Sequence, residues 1–139
     1  MLIRHERVLD WLVLYTEPEL DESERHFEAA VAALDDTELR GVVSVIAYDG
    51  FPRLNHTQIE AISDAFLPHR YPAAVITAHP NTRALLKSLE WMGGNIRPFS
   101  REQLHEALDW LTVPAASHQR VFDAIAKLSA RVRELDARA

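Results

Sequence analysis

Apolar residues along the chain form short continuous runs that alternate with segments of helical periodicity. Two such runs, in MLIRHE and WLVLYTE, predict an opening pair of strands, antiparallel because the connection between them is short. The next segment, DESERHFEAAVAAL, predicts a helix, and Asp21 and Glu24 have the spacing of a capping box at its start. The apolar face of this helix consists of Phe27, Ala30, Val31 and Leu34.

The middle of the chain continues the alternation of strands and helices. Residues 41–48, GVVSVIAY, form a β-branched run too continuous for a half-exposed strand, which predicts a central strand covered on both faces. A helix over residues 57–66, stopped by Pro68, and a second buried strand over residues 71–79 follow. NTRALLKSLEWMGG then predicts a helix that ends at Gly93 and Gly94. Its inward positions are Leu85, Leu86, Leu89 and Met92.

The last third of the chain predicts an edge strand and a closing helix. NIRPF is short, and Pro98 has no N–H to donate to a neighbouring strand, so this strand belongs at the edge of the sheet. Ser100 and Gln103 repeat the capping-box spacing before LHEALDWL, a helix with Leu104, Leu108 and Leu111 inward. Residues 1–113 therefore predict an α/β domain, a small mixed sheet of about five strands faced by helices.

Residues 114–139 predict a C-terminal helical extension that starts near Ser117. Its apolar residues follow a narrow row with alternating spacings of four and three, typical of a helix–helix seam. Two interpretations stay open: the helix packs along its own domain, or it pairs with a second copy of the chain as a homodimer. The row consists of Val121, Ile125, Leu128, Val132 and Leu135.

Composition excludes several classes of function. The net charge of −6 argues against a general nucleic-acid binder, which needs a basic surface for phosphates. The absence of cysteine excludes disulfides, thiolate catalysis and cysteine-ligated metals. No apolar run approaches the roughly 18 residues of a membrane span, and the charged start is unlike a signal peptide, so we expect a cytoplasmic location. The acidity is uneven, since residues 1–36 carry −7 and residues 117–139 carry +2.

Common catalytic and cofactor motifs are also missing. The seven histidines are scattered, with no HExxH motif and no pair four residues apart, so we expect no metal site. The chain has only four glycines and neither a GxGxxG nor a GxxxxGK[ST] loop, which argues against a phosphate-cradling site. GxSxG is absent as well. We therefore expect no catalytic residue and no cofactor.

Polar residues cluster after two of the predicted strands, in YDGFPRLNHTQ and in TAHPNTR. The carboxyl ends of parallel strands meet at one edge of a sheet, where helix starts also present unpaired N–H groups. If these two strands are neighbours, the polar residues share one surface, named here the carboxyl rim, which predicts a binding site for a partner or ligand. Its candidate residues are Asp49, Asn55, His56, Thr57, His79, Asn81, Thr82 and Arg83.

Some of these residues also have a purely structural interpretation. Asn55 with Gln58 three residues later predicts an N-cap, although the residue after a cap is exposed at the positive end of a helix and is able to bind. For His79, Asn81 and Thr82, helix capping and contact with a ligand or partner both stay open.

Residues 71–111 carry a resemblance to a known family. YPAAVITAHPNTRALLKSLEWMGGNIRPFSREQLHEALDWL contains an alanine- and valine-rich strand, a helix, a short strand ending in phenylalanine, and a closing helix with Ala107, Trp110 and Leu111. This pattern resembles the SpoIIAA-like group of STAS domains, also described as STAS/SEC14-type domains. The order of elements agrees with that group over residues 1–113.

The resemblance implies a domain that works without a catalytic centre, as a protein-interaction or small-ligand module. In the family's antagonists of anti-sigma factors, a phosphorylatable serine or threonine lies at the helix start after the central strand. That position falls on RLNHTQ here, where the family's Asp-Ser pair and glycine are absent and Thr57 is the nearby hydroxyl. Thr57 is therefore a candidate phosphosite by position and not by motif.

Two functional hypotheses follow. The leading one is a non-enzymatic regulatory domain that binds a partner protein through the carboxyl rim. The alternative is a small-molecule or lipid-binding protein, or less favourably an enzyme, with His56, His79 and Asp49 around an anion or polar substrate.

Overall fold

The computed structural model describes residues 2–17, 24–46, 55–91 and 95–138. The strands are β1 (Leu2–Val8), β2 (Trp11–Glu17), β3 (Gly41–Ile46), β4 (Ala73–Ile76) and β5 (Ile96–Phe99). The helices are α1 (Glu24–Leu34), α2 (His56–Phe66), α3 (Pro80–Trp91), α4 (Leu104–Trp110) and α5 (His118–Arg138). Short 3₁₀ turns span Leu67–His69, Arg101–Gln103 and Ala115–Ser117.

The five strands form one mixed sheet in the order β1-β2-β3-β4-β5. β1 is antiparallel to β2, with Val8 opposite Trp11 beside the tight turn, and every other neighbouring pair is parallel. The α/β class, the mixed five-stranded sheet, the antiparallel opening pair, the edge position of β5 and the C-terminal helix are all confirmed.

The sequential strand order decides which face each helix covers. Parallel crossovers are right-handed, so α1, α2 and α3 all lie on the same face when each new strand is added on the same side. On this first face Phe27 and Ala30 of α1 pack with Leu12 and Val42 of the sheet. Leu86 of α3 packs farther along the same face, with Ile46 and Val75.

The second face of the sheet is covered by α4 and α5. Val13, Val43 and Ala74 point to this side and pack with Leu108 of α4 and Leu128 of α5. β3 is therefore buried from both sides, as its continuous apolar sequence predicts.

The end of α4 is fixed to the amino-terminal edge of the parallel strands. The indole Nε1 of Trp11 donates a hydrogen bond to the carbonyl oxygen of Leu111 at 3.1 Å. Gly41 allows this approach, because a Cβ at that position would lie 3.0 Å from Cδ2 of Leu111 and 3.2 Å from Cδ1 of Trp11. The contact therefore joins the first parallel strand to a residue 100 positions later in the chain.

The C-terminal helix packs against the sheet of its own chain. Val121 and Leu128 are completely buried there, and Ile125 is partly buried. The side chains of Val132 and Leu135 lie outside the described part of the structure. A homodimer through this row stays a prediction.

Several boundaries differ from the sequence-based prediction. β4 is shorter than residues 71–79, although the N–H of Thr77 still bonds to the carbonyl of Phe99 beyond its end. Pro68 lies inside a 3₁₀ turn that follows α2 directly, and the chain leaves that turn through Arg70 in the left-handed conformation. The capping box of Ser100 and Gln103 is present, but it opens a 3₁₀ turn that then continues into α4.

Several predicted features fall outside the described residues, including the cap at Asp21, the strand end at Tyr48, the inward position Met92 and the helix end at Gly93 and Gly94. The side chains of Leu85 and Leu89 also lie outside the described part of the structure. Among the residues that are described, no helix is both long and apolar enough to cross a membrane.

Replacing Leu128 with alanine tests how much α5 contributes to the core. Leu128 is completely buried, so Leu128→Ala should lower the free energy of unfolding by about 2–5 kcal/mol in urea denaturation. Leu67→Ala is the matched control, because Leu67 is 62% exposed and should cost no more than about 0.5 kcal/mol. Equal losses in the two variants would contradict the packing of α5 on the sheet.

Tyr71 ties the start of β4 to the end of α1. Its side chain is buried, and its hydroxyl donates a hydrogen bond to the carbonyl oxygen of Leu34. The ring also contacts Phe66 edge-on and stacks on His69. Burial of the phenol, with the nearby charges of Asp35 and Asp36, raises the pKa of Tyr71 from 10.0 to about 12.

This raised pKa predicts a loss of stability at high pH. Below the ordinary tyrosine pKa of 10.0 the phenol is neutral in both the folded and the unfolded chain, so its contribution is complete. Between pH 10.0 and about 12 the unfolded chain loses the proton while the folded chain keeps it, so the free energy of unfolding should fall by about 2–3 kcal/mol.

The difference between wild type and Tyr71→Phe isolates this residue, in denaturation across that pH range and in titration of phenolate absorbance. A phenolate signal assigned to Tyr71 that titrates near pH 10.0 would contradict the burial of its hydroxyl.

Candidate functional site

The two strands that precede the carboxyl rim end at the same edge of the sheet. β3 and β4 are neighbouring parallel strands, with Val42 opposite Ala73 and Val45 opposite Ile76. They end at Ile46 and Ile76, and this neighbouring arrangement is the condition for a shared rim. Asp49, one of the candidates, lies outside the described residues.

Asn55 caps the start of α2. Its side-chain oxygen accepts a hydrogen bond from the backbone N–H of Gln58 at 2.8 Å, and its own N–H donates to Oε1 of Gln58 at 3.0 Å. This reciprocal pair satisfies two donors at the helix start. The cap predicted from the spacing of Asn55 and Gln58 is therefore present.

The two residues after the cap present their side chains to solvent. The imidazole of His56 is 86% exposed, and its Nε2 lies 3.0 Å from Oε1 of Glu60, one turn along the helix. Thr57 is exposed beside it. These groups are open to a large partner, whereas neither has the sheltered surroundings that general acid–base groups usually need.

His79 caps α3 in a way that the sequence did not specify. Its Nδ1 accepts from the backbone N–H of Thr82 at 3.2 Å and lies 3.1 Å from the Thr82 hydroxyl. Because a backbone N–H can only donate, Nδ1 carries no hydrogen and the neutral ring has its proton on Nε2. Pro80, which has no N–H to satisfy, opens the helix.

Thr77 holds the backbone of His79, the capping residue, in place. It is completely buried, and its hydroxyl oxygen accepts a hydrogen bond from the N–H of His79 at 3.2 Å. Thr82 is buried as well, so neither threonine reaches the surface of the rim. Asn81 is exposed and Arg83 is half-buried. Capping thus uses Asn55, His79 and Thr82, while His56, Thr57 and Asn81 face outward.

A second site lies on the other face of the sheet and was not found from the sequence. It is a groove of about 510 Å³ between α4 and α5, named here the α4–α5 groove. Its floor is a row across three strands, in which Tyr15 lies opposite Val45 and Val45 lies opposite Ile76. The α5 wall consists of Phe122, Ile125, Ala126, Ser129 and Ala130, and Arg101 and Leu104 line the side at α4.

Small residues give the groove its width. Ala126, Ser129 and Ala130 follow the i, i+3, i+4 spacing of one helix face, beside the apolar row that packs on the sheet. Sequence reasoning concentrated on that apolar row and gave these short side chains no role. The available signal was the combination of a small-residue face on α5 with an arginine placed directly after the capping residue Ser100.

The groove is apolar with a few polar groups. The Tyr15 hydroxyl donates to Oγ of Ser129 at 3.3 Å, across the space between the floor and the α5 wall. Arg101, which lines the other side, carries the positive charge of the groove. Sites for small organic molecules usually combine a mainly apolar lining with a few polar groups of this kind.

A histidine pair lies between α4 and α5 but has a structural explanation. The buried His118 donates from Nε2 to the carbonyl of Val113 at 3.0 Å. In the neutral ring this leaves Nδ1 to accept from Nδ1 of His105 at 3.0 Å. His105 also contacts the ring of Phe122 edge-on. Within the described residues, no group of three or more histidine, aspartate or glutamate side chains is arranged to hold a metal ion.

The chain matches no known protein-family model and no curated protein sequence. The resemblance to SpoIIAA-like domains therefore depends on the order of elements and on residues 71–111. Function has to be inferred from the geometry of the rim and the groove.

Removing the Asn55 side chain tests the cap. Asn55→Ala should lower the free energy of unfolding by about 0.5–2 kcal/mol, because the backbone N–H of Gln58 loses the side-chain oxygen that accepts its hydrogen bond. Asn81→Ala is the matched control, since Asn81 is exposed, and should change stability by no more than about 0.5 kcal/mol. Urea denaturation measures both, and an unchanged Asn55→Ala would show that the capping box does not stabilise α2.

Proposed function

We propose that this protein is a non-enzymatic, cytoplasmic regulatory domain of the SpoIIAA-like/STAS type that binds a partner protein at the starts of α2 and α3. The observation that supports this proposal is that some residues of the carboxyl rim cap the helices while others face solvent. Asn55 and His79 hold the backbone of the two helix starts, while His56, Thr57 and Asn81 face solvent. A fixed backbone with outward side chains offers a partner a preorganised surface.

An apolar residue beside these polar groups favours a protein as the partner. Ile59 is 49% exposed and lies three residues after His56, on the same side of α2. Protein interfaces combine apolar contacts with a polar surround, and a half-exposed isoleucine next to His56 and Glu60 has that character. The partial positive charge of the helix starts would favour acidic groups on the partner.

Thr57 has a defined place in this proposal. It is exposed in the first turn of α2, where added negative charge is stabilised by about 0.3–1 kcal/mol through the helix dipole. Glu60, three residues later, would oppose a phosphate there. We therefore assign Thr57 primarily as a contact residue, and phosphorylation as a subsidiary means of blocking the contact.

The proposal does not use the apolar row of α5. Val121 and Leu128 are buried against the sheet, so pairing two copies through them would require α5 to leave its own domain. Binding of a partner at the carboxyl rim, by contrast, leaves the helices packed on both faces of the sheet.

The test starts with capture of partners from an extract of the native host and continues with the purified partner. Isothermal titration should show at least about tenfold weaker binding for Thr57→Glu and His56→Ala, since both alter the centre of the proposed surface. Thr37→Glu is the matched control, because Thr37 is exposed before β3 at the opposite edge of the sheet, and it should bind like wild type. A partner that binds all four proteins equally would contradict the assignment of the rim.

A further inference from the structure

We infer that the α4–α5 groove binds a compact organic anion, a carboxylate attached to an apolar body. The carboxylate lies at Arg101 and the apolar body covers the floor formed by Tyr15, Val45 and Ile76. This site goes beyond the proposed partner surface, because α2 and α3 cover the first face of the sheet and the groove lies on the second.

The dimensions of the groove suit a small molecule. Its volume of about 510 Å³ falls within the range of roughly 300–1,000 Å³ that is usual for ligand pockets. The floor lies toward the carboxyl ends of three parallel strands, on the face of the sheet that α5 covers. The size of the groove therefore suits a small ligand.

The lining selects an apolar body. Val45, Ile76 and Leu104 are aliphatic, and Phe122 and Ile125 complete an apolar surface on three sides. Val45 and Ile76 are already buried, so the apolar area that an alkyl chain or an aryl ring removes from water belongs mainly to the partly buried Leu104, Phe122 and Ile125. Burying that area stabilises the complex by about 25 cal/mol for each Å².

The charge of the lining selects an anion with a single charged group. Arg101 contributes a guanidinium, and the described residues that line the groove include no acidic side chain. A guanidinium has five N–H donors in a planar fork, so it is able to hold a carboxylate through two of them and keep other contacts as well. One arginine in an otherwise apolar lining fits a monocarboxylate better than a nucleotide with several phosphates.

The two hydroxyl groups offer a further contact. The Tyr15 and Ser129 oxygens are 3.3 Å apart, which is longer than the 2.7–2.8 Å usual for hydroxyl pairs. A polar atom of the ligand beside this pair would lie within hydrogen-bonding reach of both oxygens. This contact would orient the ligand, while Arg101 supplies the recognition of charge.

Decanoate and decan-1-ol are suitable probes, because they share an alkyl chain and differ in charge. Titration of the full chain should show saturable binding of decanoate, at least about tenfold tighter than that of decan-1-ol. Arg101→Gln should weaken decanoate binding about tenfold and leave decan-1-ol unchanged. Equal affinities of wild type for the two probes, or no saturable decanoate binding, would overturn the inference.

Filling the groove provides the second arm of the test. Ala126→Trp should abolish binding of both probes, because Ala126 lines the groove yet is exposed enough to accept a larger side chain without disturbing the core. Ala84→Trp, at an exposed position on α3, should bind like wild type. Unchanged thermal unfolding of the unliganded variants verifies that each is folded, and decanoate binding that survives in Ala126→Trp would place the anion elsewhere and overturn the inference.

Two more measurements separate this site from other surfaces. Thr57→Glu should leave decanoate binding unchanged. The proposal of partner binding at the carboxyl rim and the inference of anion binding in the α4–α5 groove can therefore fail independently. The second measurement is cosedimentation with phosphatidylglycerol vesicles. If Ala126→Trp cosediments as much as wild type and decanoate binding does not saturate, the surface around Arg101 binds membranes, and the inference of a ligand groove is overturned.

Discussion

The burial of the central strands from both sides is the constraint on which the rest of the structure depends. β3 and β4 present apolar residues alternately to α1 and α2 on one face and to α4 and α5 on the other. Because the strands are added in sequence order, the three crossover helices occupy only the first face. The second face must be covered by whatever follows β5, and this explains why α5 contributes completely buried residues such as Val121 and Leu128. The C-terminal helix is therefore structural in this chain, whether or not it has a further role.

The same constraint creates both candidate sites. Four parallel strands end at one edge, and the starts of α2 and α3, which follow β3 and β4, are held by two unlike caps. On the opposite face two helices cover the sheet, and short side chains on α5 leave space above Tyr15, Val45 and Ile76. A protein partner and a small anion would thus use the same end of the molecule without competing for the same residues. The arrangement is consistent with a module that joins recognition of a ligand to recognition of a protein.

Sequence reasoning succeeded where the determining interactions are local. The capping boxes at Asn55 and Ser100 depend on residues three positions apart, and the buried character of β3 depends on its own apolar letters. It did not specify the histidine cap of α3, because histidine is an unusual cap and its role depends on the buried Thr77 and Thr82. It missed the α4–α5 groove for a different reason. That site combines residues from β2, β3, β4, α5 and the turn after β5, and their proximity follows only from the strand order and the position of α5.

The hydrogen bond from Trp11 to Leu111 has a consequence for how the chain acquires its structure. It spans 100 residues, and the ion pair of Glu6 with Lys127 on α5 spans even more. During synthesis the first face of the sheet can assemble as each crossover helix leaves the ribosome, but the second face of β1 and β2 stays uncovered until α5 has emerged. Val13 and Val43 therefore stay uncovered on the second face until α4 and α5 have been synthesised, and that face is completed only when α5 packs on it. Before α5 packs, a chaperone that binds apolar strands would be able to bind this uncovered face.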